Sequence, residues 1–364
     1  MEKKEQVLRM TKEQLQTDAI NLLKQLIETP SFSREEDRTA TIIENFLKDH
    51  GVSTNRHLNN IWASNKFFDE TKPTILLNSH HDTVKPNKKY TLDPFTPVEK
   101  DGKLFGLGSN DAGGSLASII SVFLYFHDQK DLKYNLVLAT SAEEEISGKN
   151  GIEALLPLLP KIDCGIVGEP TLLQMAVAER GLMVLDCVAH GKAGHAAREE
   201  GVNAIYKAMM DIEWIYTHQL PRVSKLLGPV KMTVTSIETE NKAHNVVPSE
   251  CKFVVDVRLN ELYTHEELLE IIERNLQSTV HMRSDRLRSS MIELDHPLVK
   301  AGLKSGRTYY GSPTCSDKAL MNFPTLKIGP GDSARSHTAD EFIFVDEIKE
   351  GIDLYIQLLN QLLQ

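Results

Sequence analysis

The apolar run at residues 74–77, TILL, ends at once in Asn78-Ser79-His80-His81-Asp82, and this junction limits the folds open to the chain. A short, uninterrupted apolar run with so sharp a boundary is the mark of a strand buried on both faces, as in parallel sheets covered by helices. In open α/β sheets, ligands gather beyond the carboxyl ends of the strands. His80 and Asp82 stand there. Because strand side chains alternate, residues two apart share a face. Asp82 can therefore accept a hydrogen bond from one ring nitrogen of His80 while the other nitrogen faces a metal. A polar strand end in a turn explains a lone His-x-Asp equally well, so the partners decide.

The surrounding chain supports an α/β reading. Helical spacing runs through residues 18–28 and 35–50, the second stretch closing on Gly51 as a C-cap. Strands are expected at 61–68, 74–78, 136–140 and 164–167, a long apolar helix at 113–126, and a helix from the acidic triplet Glu143-Glu144-Glu145 to Leu159. That alternation predicts a largely parallel sheet with helices on both faces. After Thr171 the pattern becomes strand 182–189, helix 202–217, strands 231–237 and 253–259, and helix 266–276. This suits an inserted ferredoxin-like α+β unit completed by one more strand. The α/β pattern returns near residue 290, with a strand at 324–328 and a closing helix at 345–363. The expected division is 1–178, 179–288 and 289–364, in which the first and third segments form one domain.

Bulk properties narrow the function. A chain of 364 residues exceeds what one core usually covers. It is 41% hydrophobic and 25% charged, and no apolar stretch is long enough to cross a membrane. A net charge of −10, with no lysine-rich block interleaved with aromatics, argues against nucleic acid and for a small metabolite. The N-terminal MEKKEQVLRMTKEQLQ has no apolar leader, so a cytoplasmic protein is expected. Four cysteines without C-x-x-C spacing argue against disulfides or a zinc finger.

Four acidic or histidine clusters fall at ends of predicted strands: His80-x-Asp82, Asp111 in GLGSNDAGG, the triplet at 143–145, and Glu169 in VGEPT. His337, in GPGDSARSHTADE, is a fifth. Each alone has an ordinary explanation, since acids favour first helical turns and Asp111 is placed to cap a helix. Together they gather histidines and carboxylates, with no cysteine, on one sheet edge, which is the donor set of a two-metal hydrolytic site.

The order HxD, GxGxxDxxGG, EEE, GEPT, GHAAR, NVVP, DVRL and GPGDSxxSH resembles the zinc-dependent aminoacylase and carboxypeptidase family over almost the whole chain. Within the family it looks most like the acetylornithine deacetylase branch. The resemblance implies a zinc-exopeptidase-like catalytic domain interrupted by a lid through which two chains form a homodimer. It also implies two divalent ions, zinc or cobalt, bridged by Asp111. His80 and Glu169 would complete one set of ligands, and Glu145 and His337 the other. Glu144 matches the general base and Asp82 the acid that orients His80. Glu143 receives no role, and His81 should face away from the ions. In the lid, His195 matches a residue donated across the dimer to the substrate carbonyl, while Asn245 and Arg258 match positions that hold the substrate carboxylate. The loop with Thr314, Ser316 and Asp317 departs from the family's pattern. The implied activity is removal of the acyl group from an N-acyl amino acid, first N-acetylornithine in arginine biosynthesis. N-succinylornithine, acyl-lysine or diaminopimelate derivatives, and dipeptides are the alternatives. A metal-binding scaffold that has lost its chemistry is the non-enzymatic alternative, and an intact Glu144 speaks against it.

Overall fold

The computed structural model describes residues 10–198 and 200–364. The first nine residues, part of the stretch read above for a leader, lie outside them. Packing divides the chain into two units. One comprises the described residues through Val177 together with Ile292–Tyr310 and Ser316–Gln364, and the other comprises Ala178–Met291 and Gly311–Cys315.

In the first unit the run TILL begins the strand Thr74–His80, every residue of which is buried. It extends two residues beyond the expected end because Ser79 and His80 still pair with Thr140 and Ser141. His80 is thus held by the sheet itself. Asn135–Ser141 lies parallel on one side, and Cys164–Val167 then Thr325–Lys327 lie parallel on the other. In order of appearance the four strands are arranged 2-1-3-4. The crossovers from Thr74–His80 therefore diverge, opening a crevice beyond its carboxyl end and that of Cys164–Val167. Asn60–Ser64 and Met175–Glu179 add antiparallel neighbours at either side.

Both faces are covered. Gly114–His127, apolar nearly all round, packs between Lys12–Ile27 and Val345–Leu363. On the opposite face Leu76, Val137, Ala139 and Val167 pack with Ile152, Leu155 and Met321. The first helix starts earlier than its apolar spacing indicated, because Thr11 caps it by accepting from the Gln14 amide. The second, Asp37–Asp49, stops at Gly51, whose φ of +76° suits a residue without a Cβ. The helix expected after the acidic triplet is corrected. Glu144–Ile146 is a single 3-10 turn, with left-handed Glu143 and Ser147 on either side, and only Ile152–Leu155 is α-helical before another 3-10 turn. A left-handed residue at each end prevents continuous helical hydrogen bonding.

The second unit has a four-stranded antiparallel sheet in the order Lys231–Glu238, Glu250–Leu259, Gly181–His190, Thr279–Met282. Its βαββαβ sequence and strand order are ferredoxin-like. Alternate residues Met183, Leu185, Cys187, Ala189 and Phe253, Val255, Val257, Leu259 form one buried face. Ala204, Ala208, Ile215, Leu268 and Ile272 from the two helices pack with them. No described helix in either unit is long and apolar enough to cross a membrane.

His81 points away from its neighbour His80. Its Nε2 donates to the Asn59 carbonyl at 2.9 Å, and Nδ1 meets Thr39 Oγ1 at 2.9 Å. Burial pushes its pKa down to about 4, whereas an unfolded histidine titrates near about 6.5. The unfolded chain therefore binds the extra proton first. Stability from this group is complete above about pH 6.5 and is lost as pH falls toward about 4. Urea titrations of the chelated protein should show roughly 2 kcal/mol of this loss between pH 7 and pH 5. The His81→Gln variant should lack it, and parallel pH dependences for both proteins would contradict the assignment.

Candidate metal centre

The crevice is built from loops that leave four strand ends. His80 is 1% exposed. Its Nδ1 lies 3.0 Å from the Asp82 carbonyl oxygen and 3.3 Å from Asp82 Oδ1, so it donates to both, and Nε2 is left for the crevice. Asp82 does more than orient the ring. Its Oδ1 accepts from the Glu144 amide at 3.0 Å, and its Oδ2 accepts from the Glu145 amide at 3.1 Å and from Ser33 Oγ at 2.6 Å. One carboxylate thus caps the acidic turn and fixes it to the strand end carrying His80.

Asp111 is not a helix cap. It lies in the turn Ser109–Gly113, where no side chain caps the following helix. Its Oδ1 is 3.3 Å from His80 Nε2, and its Oδ2 is 3.7 Å from His337 Nε2. The two oxygens face two different imidazoles. His337, in the left-handed region at φ 61°, also places Nε2 3.0 Å from Glu145 Oε2. Glu144 Oε2 and Glu169 Oε1 lie 3.9 and 3.8 Å from His80 Nε2. All six side chains expected in the first unit therefore converge with Asp82. His337 forms the outer wall, since its side chain is 55% exposed.

Electrostatics show how closely the acids are crowded. Burial opposes charge on His80, but hydrogen bonds to Asp111 and Asp82 and the charges of Glu144 and Glu169 outweigh it, holding its pKa well above the ordinary value. Burial and repulsion from Glu169, Asp317 and Glu145 push the Glu144 carboxyl well up, although His80 opposes this. Burial also raises Glu145, with Asp111 adding to the shift. The two imidazoles lie within 4 Å of Asp111, Glu144, Glu145 and Glu169. Five carboxylates and two imidazoles, all oxygen and nitrogen donors, fit divalent cations.

Two sets have donor atoms within 4.8 Å of one another: His80, Asp111 and Glu145, and His80, Glu144 and Glu169. Both use His80, but Asp82 occupies Nδ1, leaving one imidazole donor. His80 can serve one ion. A carboxylate can be shared by two ions, and the two oxygens of Asp111 face different imidazoles.

Two supporting acids were not singled out in the sequence. Glu36, fully buried, accepts from the Glu143 amide at 3.2 Å, from Arg34 N and from Asn59 Nδ2. Glu341, also buried, accepts from the amides around Asp111. Glu36 lies in no motif, and Glu341 closes the GPGDSARSHTADE segment with no role that its position announces, so only the fold reveals what they support. Asp317 accepts from Ser141 Oγ at 2.5 Å, and burial pushes its pKa up to about 6. It belongs to the first unit, whereas Thr314 belongs to the second.

His195, Asn245 and Arg258 are in the second unit. Gly194–His195 pairs with Val246–Val247, and the Ala196 amide donates to the Asn245 carbonyl, so His195 and Asn245 are brought together. Ala197 N donates to His195 Nδ1 at 3.2 Å, which makes Nε2 the protonated nitrogen of the exposed ring. Arg258 donates Nε and Nη2 to Asp256 at 2.8 and 2.9 Å. Sequence alone had left the whole guanidinium for a ligand. Asp256 lies two residues away on the same strand face, and takes one edge. All four cysteines are free thiols.

A family profile described as "Peptidase family M20/M25/M40" matches residues 76–361. The chain belongs to this family. It is a metal-dependent hydrolase, and its candidate ligands are those described above. The chain is 24% identical over 379 residues to succinyl-diaminopimelate desuccinylase 2 of Ruegeria sp. (strain TM1040), covering 94% of each chain. It is 28% identical over 387 residues to acetylornithine deacetylase of Edwardsiella ictaluri (strain 93-146), covering 95% of this chain and 98% of the relative. The fold matches a tripeptidase from Staphylococcus aureus with a TM-score of 0.77 at 19% identity, covering 94% of this chain and 97% of that one.

A buried cluster of mutually repelling acids predicts that the chelated protein is less stable than the loaded one. Free ion at a thousand times its Kd should stabilise the fold by about 4 kcal/mol per site. Scanning calorimetry with zinc or cobalt, against a chelator, checks this. An unchanged midpoint would show that the acids need no ion.

Proposed function

We propose that the protein is a two-metal amidohydrolase that removes the acyl group from an N-acyl amino acid, with N-acetylornithine as the favoured substrate and ornithine and acetate as products. The observation that carries the reading is Asp111, whose two oxygens face the separate imidazoles His80 and His337. His80, Glu169 and Asp111 Oδ1 would hold one ion, and Glu145, His337 and Asp111 Oδ2 the other. A nitrogen and oxygen donor set without thiolate suits zinc, with cobalt as a working substitute. Bound divalent ions supply Lewis acidity, which activates a water and polarises the acyl carbonyl.

The chain's own groups account for the proton movements. Glu144 takes the proton of the attacking water and returns it to the departing amine nitrogen, as a general base then acid. Its backbone amide, held by Asp82, keeps the carboxylate at the crevice. His195, protonated at Nε2, donates to the oxyanion. Asn245 and Arg258 receive the substrate carboxylate, which meets the guanidinium edge not engaged by Asp256. In this reading the enzyme serves arginine biosynthesis in the cytoplasm. The relative named a succinyl-diaminopimelate desuccinylase favours a second reading, in which the acyl group is succinyl and the amine is diaminopimelate.

A panel of acetyl- and succinyl-ornithine, -lysine and -diaminopimelate plus dipeptides, with and without chelator, separates the readings. Chelator-sensitive release of ornithine from the acetyl compound is expected to dominate. Faster release from succinyl-diaminopimelate would favour the second reading, and hydrolysis of dipeptides alone would refute both. Glu144→Gln should lower turnover by about 10²–10⁴ while metal content, measured by atomic emission, stays at the wild-type level. Near-normal turnover in that variant would remove Glu144 from the mechanism.

We also propose that two chains form a two-fold dimer through the second unit, each His195 serving the partner's site. The outer edge of Lys231–Glu238 supports this, as do the exposed Tyr206, Met209, Met210 and Tyr216 on Ala204–Thr217, because both are apolar or hydrogen-bonding surfaces within that unit. Glu144→Ala and His195→Ala chains are each expected to be inactive alone. After subunit exchange they should recover roughly a quarter of wild-type activity, because half the dimers are mixed and each has one intact site. A mixture that stays inactive would place His195 in its own subunit's site.

A further inference from the structure

The loop bearing Asp111 and the loop bearing His337 are fastened to each other by groups that the chemistry above does not use. Asp111 and His337 both lie outside the sheet strands, so strand pairing does not set their separation. Glu341, four residues after His337, sends its carboxylate beneath the Asp111 loop. Oε1 accepts from the Asn110 and Asp111 amides, both at 2.9 Å, and Oε2 accepts from the Gly108 amide at 3.2 Å. Its backbone carbonyl accepts from the Gly106 amide at 3.0 Å. Glu341 is 2% exposed, and no described lysine or arginine pairs with it. The three amides are its main compensation for losing water. The other end of the segment is also tied. Asn110 Nδ2 donates to the Asp332 carbonyl at 3.0 Å, while the Asp332 amide donates to Asn110 Oδ1 at 2.9 Å. Gly331, at φ 91°, permits this approach, since a Cβ there would lie 2.5 Å from Asn110 Oδ1. His337 therefore lies between two points of attachment to the loop that presents Asp111.

We propose that Glu341 is a positioning residue of the metal centre, holding the Asp111 backbone so that its two carboxylate oxygens reach the His80 side and the His337 side together. This rests on the reading of Asp111 as the shared ligand. Glutamine at this position keeps an acceptor for Asn110 and Asp111 but turns an NH2 group toward the Gly108 amide, setting donor against donor. The adjacent Asp340 provides an internal control. Its carboxylate accepts from the Thr91 and Leu92 amides and from Thr91 Oγ1, and touches neither Asp111 nor its loop.

The test uses the full chain, stripped by chelator and titrated with cobalt(II), read by calorimetry and by the visible cobalt spectrum. Glu341→Gln should bind at least one of two cobalt equivalents about 10–100-fold more weakly, the range typical for groups that support metal ligands, with an altered spectrum. Asp340→Asn should match wild type in both readouts. Wild-type affinity and spectrum in Glu341→Gln would overturn the proposal, as would an equal loss in Asp340→Asn, which would indicate general loosening of the segment. If Glu341→Gln does not fold, Glu341→Asp, which retracts the carboxylate by one methylene, carries the same expectations and the same refutation. The shared-ligand reading is tested separately by Asp111→Ala, which should lose both equivalents. Full binding by that variant would refute that reading and this proposal with it.

Discussion

The carboxylate of Asp82 is the interaction on which the candidate site depends. It is buried at the end of the central strand and accepts from His80 Nδ1, Ser33 Oγ and the amides of Glu144 and Glu145. Burying an anion is costly unless its lone pairs are satisfied, and four donors satisfy this one. The same bonds hold the imidazole and the two glutamates in mutual register, although the groups come from different strand ends. Without Asp82 the amides of Glu144 and Glu145 would lose the acceptor that ties them to the strand end carrying His80.

From that anchor outward, the crevice gathers acidic side chains around two imidazoles. Glu36 and Glu341 extend the pattern beneath the surface by accepting backbone amides around Glu143 and Asp111. Acidic side chains face the crevice, and further acidic side chains support them from behind. Such an arrangement sacrifices stability in the metal-free chain for a strong field at the crevice, which suits a hydrolase whose ions must be held firmly enough to act as Lewis acids.

Much of this was legible in the sequence because it follows from short-range rules. An apolar run that stops abruptly marks a buried strand, and polar residues just beyond it are brought to one edge by parallel pairing. The ferredoxin-like order of the second unit followed from periodicity in the same way. Part of what was not legible depends on contacts distant in sequence. Glu36 and Glu341 are acids in unremarkable loops until the chain folds over them. The helix expected after Glu143 fails because Glu143 and Ser147 adopt left-handed conformations that residue type does not announce. Asp256, an ordinary acid in a strand, proves to be the partner of Arg258. The roles of Glu36 and Glu341 are settled by tertiary contact, which local propensity does not encode, whereas the Asp256–Arg258 pair is local and follows from strand alternation once both residues are placed in one strand.

The second unit separates Glu169 from His337 along the chain, and this spacing bears on how the protein is made. During synthesis from the N-terminus, His80, Asp111, Glu144, Glu145 and Glu169 emerge long before His337 and Glu341. The helix Val345–Leu363, which packs on Gly114–His127, emerges after them. A nascent chain paused after Glu169 would display all five carboxylates of the crevice with one imidazole, a loose chelating surface without its outer wall. Ion binding in the final geometry therefore waits for His337 and for the residues that fasten its loop to the loop of Asp111.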